Sequence, residues 1–395
     1  MSLRYRSREK RRRANTFHEN TREEEKLSEG IKVAVAGGGT GGHLYPAIAI
    51  VKEIEQRFEK AEILFFGTAK GIEAKQIPQM GYRLKLIWLK GVQRKLTFKN
   101  LLIPAQLVIS FYQCLFTLRR FKPDVVIGTG GYVSGPVLLI AALLGYPTVI
   151  QEQNSFPGVS TRLLSRFVDQ VHLSFEESEK YFENKSKLYF SGNPIRSNLK
   201  TVAREKAISA FGLDADKKTL LIFGGSQGAH SLNQGMIRIL DILSKMPNWQ
   251  IIWGSGERDY EEVQRACRNY EKQTTVKPFI TDMASAYSAA DLVISRAGAT
   301  TLAELQDCGL PALLVPYPYA AEGHQEANAR TLMKQNAAEM ILDRDLRSRQ
   351  FVDTVLELMK DDSKRQKLGE NLKSLAKPDA AENIVNDIMN LLYDA

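Results

Sequence analysis

The sequence predicts an α/β protein of two similar halves, each a parallel sheet flanked by helices. Three observations carry that prediction. Short β-rich runs alternate with longer helical ones along most of the 395 residues, the pattern of parallel strands joined by crossover helices. A strand, a glycine turn and a helix follow one another in "KVAVAGGGTGGHLYPA" (32–47), and the same order restarts in "TLLIFGGSQGAHSLN" (219–233). Between them, "GNPIR" (192–196) marks where the halves join.

The chain opens on a basic stretch. "RYRSREKRRR" holds seven bases and one acid and supplies most of the net charge of +9. Residues 1–30 have few apolar groups, so they read as a disordered tail, and they lack the apolar core of a secretory signal. Residues 31–195 form the expected first domain. Its strands are "KVAVAG", "EILFFGT", "PDVVIGTGG", "PTVIQEQ", "QVHLSF" and "KLYFSGNP". "PAIAIVKEIEQRF" and "GPVLLIAALLG" are its clearest helices. Residues 196–378 form the second domain, with strands in "TLLIF", "WQIIWGSG", "TTVKPFI", "DLVISRAG" and "PALLVPYP". A last helix, about 379–395, is long enough to pack back on the first domain.

Composition is that of a soluble globular protein, 44% apolar and 25% charged. Cys114, Cys267 and Cys308 are far apart and show no metal-ligand spacing, which fits a reducing compartment. From Ala74 to Pro123 there is no acid but ten bases, Lys90, Arg94 and Lys95 among them. Trp88, Phe98, Leu101 and Leu102 are interleaved with those bases. Bases beside exposed apolar groups suit an anionic membrane surface. Within this segment "LLIPAQLVISFYQCLFTL" (101–118) is at the short limit for a span and contains two glutamines, so a buried or half-buried helix is expected.

"GGGTGG" (37–42) formally matches the dinucleotide fingerprint through Gly37, Gly39 and Gly42. That fingerprint needs an acid at the end of the next strand, and the chain has Gly67 and Thr68 there. No Gly-Lys-Ser/Thr follows either glycine loop, so a P-loop is excluded too. What remains is a glycine turn at a helix start, whose free N–H groups and dipole favour an anion. Polar clusters follow other strands: "QEQNSFPG" (151–158), "SRAGATTLAE" (295–304) and "EGHQEANA" (322–329). In such sheets ligands bind beyond the carboxyl ends of the strands, here in a cleft between domains.

Together "GGGTGGHLYPA", "GTGGYVSGP", "QEQN", "GNPIR", "GGSQGAHSLN" and the run from "SRAGATTLAEL" to "HQ..NA" resemble the MurG family of bacterial glycosyltransferases, from about residue 31 to 390. The resemblance implies the GT-B fold and transfer of N-acetylglucosamine from UDP-N-acetylglucosamine to lipid I, giving lipid II for peptidoglycan. It implies donor contacts from Thr40, Gly41, Gly42 and Asn154 of the first domain. From the second it implies Arg196, Ser226, Ile280, the helix start Ala299, Thr300, Thr301, Leu302, Ala303 and Glu304, and then Gln325 and Asn328. Glu304 would hold the ribose and Ile280 the uracil. His324 departs from the glutamine many relatives carry.

The transfer would invert the anomer and needs a base at the attacking hydroxyl. His43 is the first candidate, because histidine titrates near neutrality. Glu152 or a water path is the rival. Gly130, Gly131 and Tyr132 are expected to help hold the acceptor. Trp88, Lys90, Arg94, Lys95 and Phe98 would dock the domain on the cytoplasmic face of the inner membrane. No tightly bound cofactor or protein metal site is expected, though a divalent cation in solution is compatible; "DAD" (214–216) reads as a turn. Cell-wall synthesis proteins are possible partners, and nothing points to nucleic acid. The competing readings are another GT-B enzyme acting on a lipid acceptor and a non-catalytic, membrane-docked binding protein.

Overall fold

The computed structural model describes residues 30–89, 103–196, 199, 202–225, 228–271 and 273–393. The basic tail, Lys90, Arg94, Lys95, Phe98 and Ser226 lie outside that set.

The first sheet contains β1 (Ile31–Gly37), β2 (Ala61–Gly67), β3 (Arg83–Leu86), β4 (Val125–Gly130), β5 (Thr148–Glu152), β6 (Gln170–Leu173) and β7 (Leu188–Phe190). All seven are parallel, in the order β3-β2-β1-β4-β5-β6-β7. Its helices are α1 (Gly41–Arg57), α2 (Glu73–Gln79), α3 (Ile103–Phe121), α4 (Ser134–Leu143) and α5 (Val159–Leu164). Successive side chains of β1 feed opposite cores, as the two-residue strand period requires. Val33 and Val35 pack with Phe65, Ile127 and the α1 residues Leu44, Ile50 and Ile54. Ala34 and Ala36 pack with Phe66, Val126 and residues of α3 and α4, among them Cys114, Leu118 and Leu138.

The second sheet contains β8 (Lys218–Phe223), β9 (Trp249–Gly254), β10 (Thr274–Lys277), β11 (Leu292–Ser295), β12 (Ala312–Leu314) and β13 (Glu339–Met340). It is also parallel, in the order β10-β9-β8-β11-β12-β13. Around it lie α6 (Arg204–Ala210), α7 (His230–Leu243), α8 (Tyr260–Ala266), α9 (Met283–Ala289), α10 (Ala299–Cys308), α11 (His324–Lys334), α12 (Arg349–Lys360) and α13 (Asp362–Ser374). The final helix, α14 (Ala380–Tyr393), crosses back to the first domain. Its Ile384, Val385 and Ile388 are buried in the core beneath α1. Each such side chain contributes roughly 1.5–3 kcal/mol. Asn386 accepts from Arg57, and the Asp387 carbonyl accepts from Gln170 at 2.8 Å.

Two local readings change, and the expected half-buried helix at α3 is found. α1 begins at Gly41, not at Pro46, because Thr40 is already an extended cap residue (φ −137°, ψ 159°). His43 therefore sits in the first helical turn. The edge strands β3 and β13 were not read from the sequence: β3 alternates but has only four residues, and β13 has two. The helix α3 is half-buried. Ser110, Cys114, Leu118 and Phe121 face inward, while Val108, Ile109, Tyr112 and Phe116 stand in solvent. Among the described residues, no helix is long and apolar enough to cross a membrane.

Candidate active site

The first glycine loop runs from Gly37 to the start of α1. Gly39 has φ +83°, in the left-handed region that glycine tolerates best. Its N–H is spent below the loop, on the wholly buried Glu73: Oε2 accepts from Gly39 at 2.8 Å. Oε1 accepts from the Thr68 backbone N–H at 2.9 Å. So the acid missing at Gly67–Thr68 stands five residues further on. It pins the loop from below, and its carboxylate places oxygen where an anion bound to Gly39 would lie. The expectation that this loop cradles an anion through its N–H groups is revised at Gly39 for that reason.

Where β4 ends, the ladder shifts so that Gly37 pairs with Gly130. The two glycine turns then interlock. A Cβ built on Gly130 (φ +102°) would lie 2.6 Å from His43 Nδ1, and one on Gly131 (φ +81°) would lie 2.5 Å from the Gly38 carbonyl oxygen. These two glycines make room for protein groups. Tyr132, the third of that set, is exposed. Thr129 Oγ1 donates to the His43 carbonyl at 2.8 Å, and His43 Nδ1 lies 3.0 Å from Gln153 Oε1. Thr40, Gly41 and Gly42 form the rim of the same turn and are partly or fully exposed.

Glu152 is poorly placed to act as the rival base. Its Oε1 accepts from Asn154 N and Nδ2 at 3.0 and 3.2 Å, and its Oε2 from Gly158 N at 3.2 Å. The carboxylate closes the 152–158 turn and is buried.

Opposite, the second domain presents the start of α10. The first N–H groups of a helix have no intrahelical partner, which leaves those of Ala299, Thr300 and Thr301 free of the helix ladder. Thr300 Oγ1 is buried with no partner. Leu302 is a correction: its N–H bonds the Gly298 carbonyl at 3.0 Å and its side chain is wholly in the core, so it offers nothing to a ligand. Ala299 and Ala303 line a cavity of about 20 Å³ beside Gly192 and Asn193, at the hinge. Glu304 is buried; its Oε2 accepts from Tyr287 OH at 2.8 Å and its Oε1 lies 3.2 Å from Arg196 Nη2. Burial holds the Glu304 carboxyl above the usual range, opposed by the Arg196 charge. The Arg196 guanidinium also lies over the Tyr45 ring of α1, 5.7 Å from its centre. Arg196 therefore pairs with the expected ribose ligand.

Asn328 is completely buried and bridges the domains. Its Oδ1 accepts from Ser155 N at 2.8 Å and Oγ at 3.0 Å, and its Nδ2 donates to Asn154 Oδ1 at 3.1 Å. The two asparagines expected on the donor sugar thus hold each other across the cleft. Gln325 Oε1 accepts from the Tyr317 N–H at 2.9 Å. His324 Nδ1 lies 2.7 Å from the Ala321 carbonyl. Burial, with the nearby His43 as a like charge, holds His324 below its ordinary value. Ile280 is buried and packs on Gly254 at the end of β9. Trp88 is half-exposed, and its backbone N–H donates to Gln113 of α3 at 2.8 Å.

Among the described residues one set could hold a metal ion: His230, Asp259 and Glu262. Asp259 is already engaged there, by His230 Nδ1 at 3.0 Å and Asn233 Nδ2 at 2.8 Å. Sequence reasoning missed Glu73, Gln153 and Tyr287. Gln153 had a signal, since it lies one residue from Asn154 and shares a strand face with Gln151.

Two parallel sheets facing a cleft, each sending a glycine-turned helix start into it, define a GT-B glycosyltransferase. Residues 33–173 match the glycosyltransferase family 28 N-terminal domain and residues 219–384 the family 28 C-terminal domain. A UDP-N-acetylglucosamine–N-acetylmuramyl-(pentapeptide) pyrophosphoryl-undecaprenol N-acetylglucosamine transferase of Desulforamulus reducens is 39% identical over 368 residues, 92% of this chain and 99% of that one. The enzyme of the same name from Chlorobaculum tepidum is 43% identical, covering 91% and 99%. The crystal structure of Acinetobacter baumannii MurG superposes with a TM-score of 0.73 at 28% identity, covering 91% of this chain and 99% of that one. The chain belongs to the MurG family of family 28 glycosyltransferases.

Proposed function

We infer that this chain catalyses the reaction its relatives are named for. It moves N-acetylglucosamine from UDP-N-acetylglucosamine to the muramyl 4-hydroxyl of undecaprenyl-pyrophosphoryl-N-acetylmuramyl-pentapeptide. The observation that carries the mechanism is the placement of His43, on the first turn of α1, opposite Glu304, Asn328 and the α10 start. In the proposed step the acceptor oxygen attacks the anomeric carbon and the bond to the UDP oxygen breaks. The hydroxyl proton passes to His43, and the diphosphate leaves with the negative charge. The free N–H groups of α10 and the Arg196 guanidinium stabilise that charge without a protein-bound metal. Donor binding has to part Arg196 from Glu304 and Asn154 from Asn328, so the donor's hydroxyls replace bonds the protein now makes with itself.

The acceptor is lipid-linked, so we place the enzyme peripherally on the cytoplasmic face of the inner membrane. The exposed α3 stripe of Val108, Ile109, Tyr112 and Phe116, ending in Arg119 and Arg120, supports that placement beside the basic segment read from the sequence. Labelled UDP-N-acetylglucosamine with a lipid I analogue tests the reaction. Transfer by the purified protein is expected, surviving excess chelator; no transfer overturns the reading. Binding to anionic vesicles should fall on replacing Tyr112 and Phe116 by serine, and unchanged binding would remove α3 from the docking face.

A further inference from the structure

We propose that Gln153 is the positioning residue that sets the tautomer of His43. The proposal rests on the reading of His43 as the base, and it specifies which nitrogen does the work.

The amide orientation of Gln153 is fixed by its surroundings. Its Nε2 lies 2.7 Å from the Thr129 carbonyl, 2.9 Å from the Gln151 carbonyl and 2.6 Å from Gln151 Oε1. All three are oxygens without a hydrogen to give. Only the NH2 end of the amide fits among them, since a flipped amide would set oxygen against oxygen three times. Gln153 Oε1 therefore faces His43, 3.0 Å from Nδ1. That oxygen can only accept, so the neutral imidazole carries its hydrogen on Nδ1. Its lone pair is on Nε2, the nitrogen left to receive the acceptor's proton. Gln153 is almost fully buried, and Gly130 walls the ring on the Nδ1 side, so the ring stays in place.

The same logic orients histidine bases elsewhere with a carboxylate, which also stabilises the imidazolium. Here the partner is neutral. What it fixes is the orientation and tautomer of the ring. The other ionisable groups around this ring are His324 across the cleft with Glu152 near it, Glu73 beneath the glycine loop, and Arg196 with Glu304 beyond Tyr45. Among the described residues none of them hydrogen-bonds the imidazole, so Gln153 is its partner at Nδ1.

The test is steady-state transfer against pH with full-length protein. Gln153→Ala should lower kcat by up to about a hundredfold while the donor KM stays within about twofold. Gln153→Glu is not isosteric in its bonding, because its second oxygen would meet the three acceptors that now take the amide N–H groups. The deciding readout is therefore the imidazole 15N shifts of His43 in the wild-type protein: the Nδ1–H form supports the proposal, the Nε2–H form overturns it. Unchanged kcat in Gln153→Ala would also overturn it. Full activity of His43→Ala would remove the base reading itself and leave the tautomer result standing.

Discussion

His43 and His172 both belong to the first domain and both bond a glutamine, yet they are put to opposite uses. His43 sits where a glycine turn meets a helix, with one nitrogen held and the other open. His172 sits in the middle of β6, fully buried, with both nitrogens occupied. Its Nε2 lies 3.3 Å from Gln170 Oε1 and its Nδ1 2.7 Å from Ser191 Oγ. The Gln170 amide nitrogen donates to the Asp387 carbonyl, so Oε1 faces the ring and Nε2 carries the hydrogen. Nδ1 then accepts from the serine hydroxyl. A carboxylate oxygen of Asp387 lies 3.8 Å from Nδ1, but burial outweighs it and pushes His172 down to about 3. What separates a histidine that can exchange protons from one that cannot is the solvent and the vacant nitrogen, since both have a glutamine partner.

Four measurements break or sharpen that contrast. His43→Ala should cost about 10²–10⁴ in kcat with little change in melting temperature, since its ring is only partly buried. A melting temperature that collapses with activity would show His43 to be structural like its counterpart.

His172 should govern acid stability. Its folded value is depressed below the ordinary 6.5, so the stability it protects is present above pH 6.5 and lost as pH falls toward 3. The loss should reach a few kcal/mol at full protonation. Urea midpoints at pH 7 and pH 4.5 should differ less in His172→Asn than in wild type. His43→Ala should leave that difference intact.

Gly130→Ala should act on His43 alone of the two. The added methyl meets the imidazole at 2.6 Å in a backbone with φ +102°, so kcat should fall at least about tenfold and stability by about 1–3 kcal/mol. Transfer at the wild-type rate would show that the ring has another place to go.

The smallest effect concerns Glu304, a buried group that must act at a site. Its carboxyl is held above the usual range by burial, so its charge costs the folded state stability as pH rises. Glu304→Gln should raise the donor KM roughly tenfold and leave the melting temperature no lower. A lower melting temperature would mean that the Arg196 pair outweighs the desolvation cost.

Much of this was legible in advance because it rests on local rules. The alternation of apolar runs with glycine turns gave the two halves, and strand ends located Glu304, Asn328 and Asn154. The acid-free segment pointed to α3, whose outer face is apolar. The residues that were missed act through space. Glu73 supports a loop 34 residues before it, and Gln153 meets a histidine 110 residues away. Gln153 lies inside the "QEQN" motif, but nothing in that motif names the histidine it meets. Leu302 shows the reverse: it lies inside a motif, but its helical phase turns it into the core.

The sequence by itself determined the fold class, the family and the set of groups available to the cleft. These follow from periodicity, from glycines where the backbone must turn sharply, and from polar residues placed after strands. The tertiary structure decided what each group is free to do. Only packing shows that Gly130 is empty so that an imidazole can fill the space, or that Glu152 is spent on its own turn. A hydrogen bond has one donor and one acceptor, and which atom is left over depends on every neighbour at once. That condition, set by Gln151, Thr129 and Gln153 together, leaves Nε2 of His43 open to the cleft.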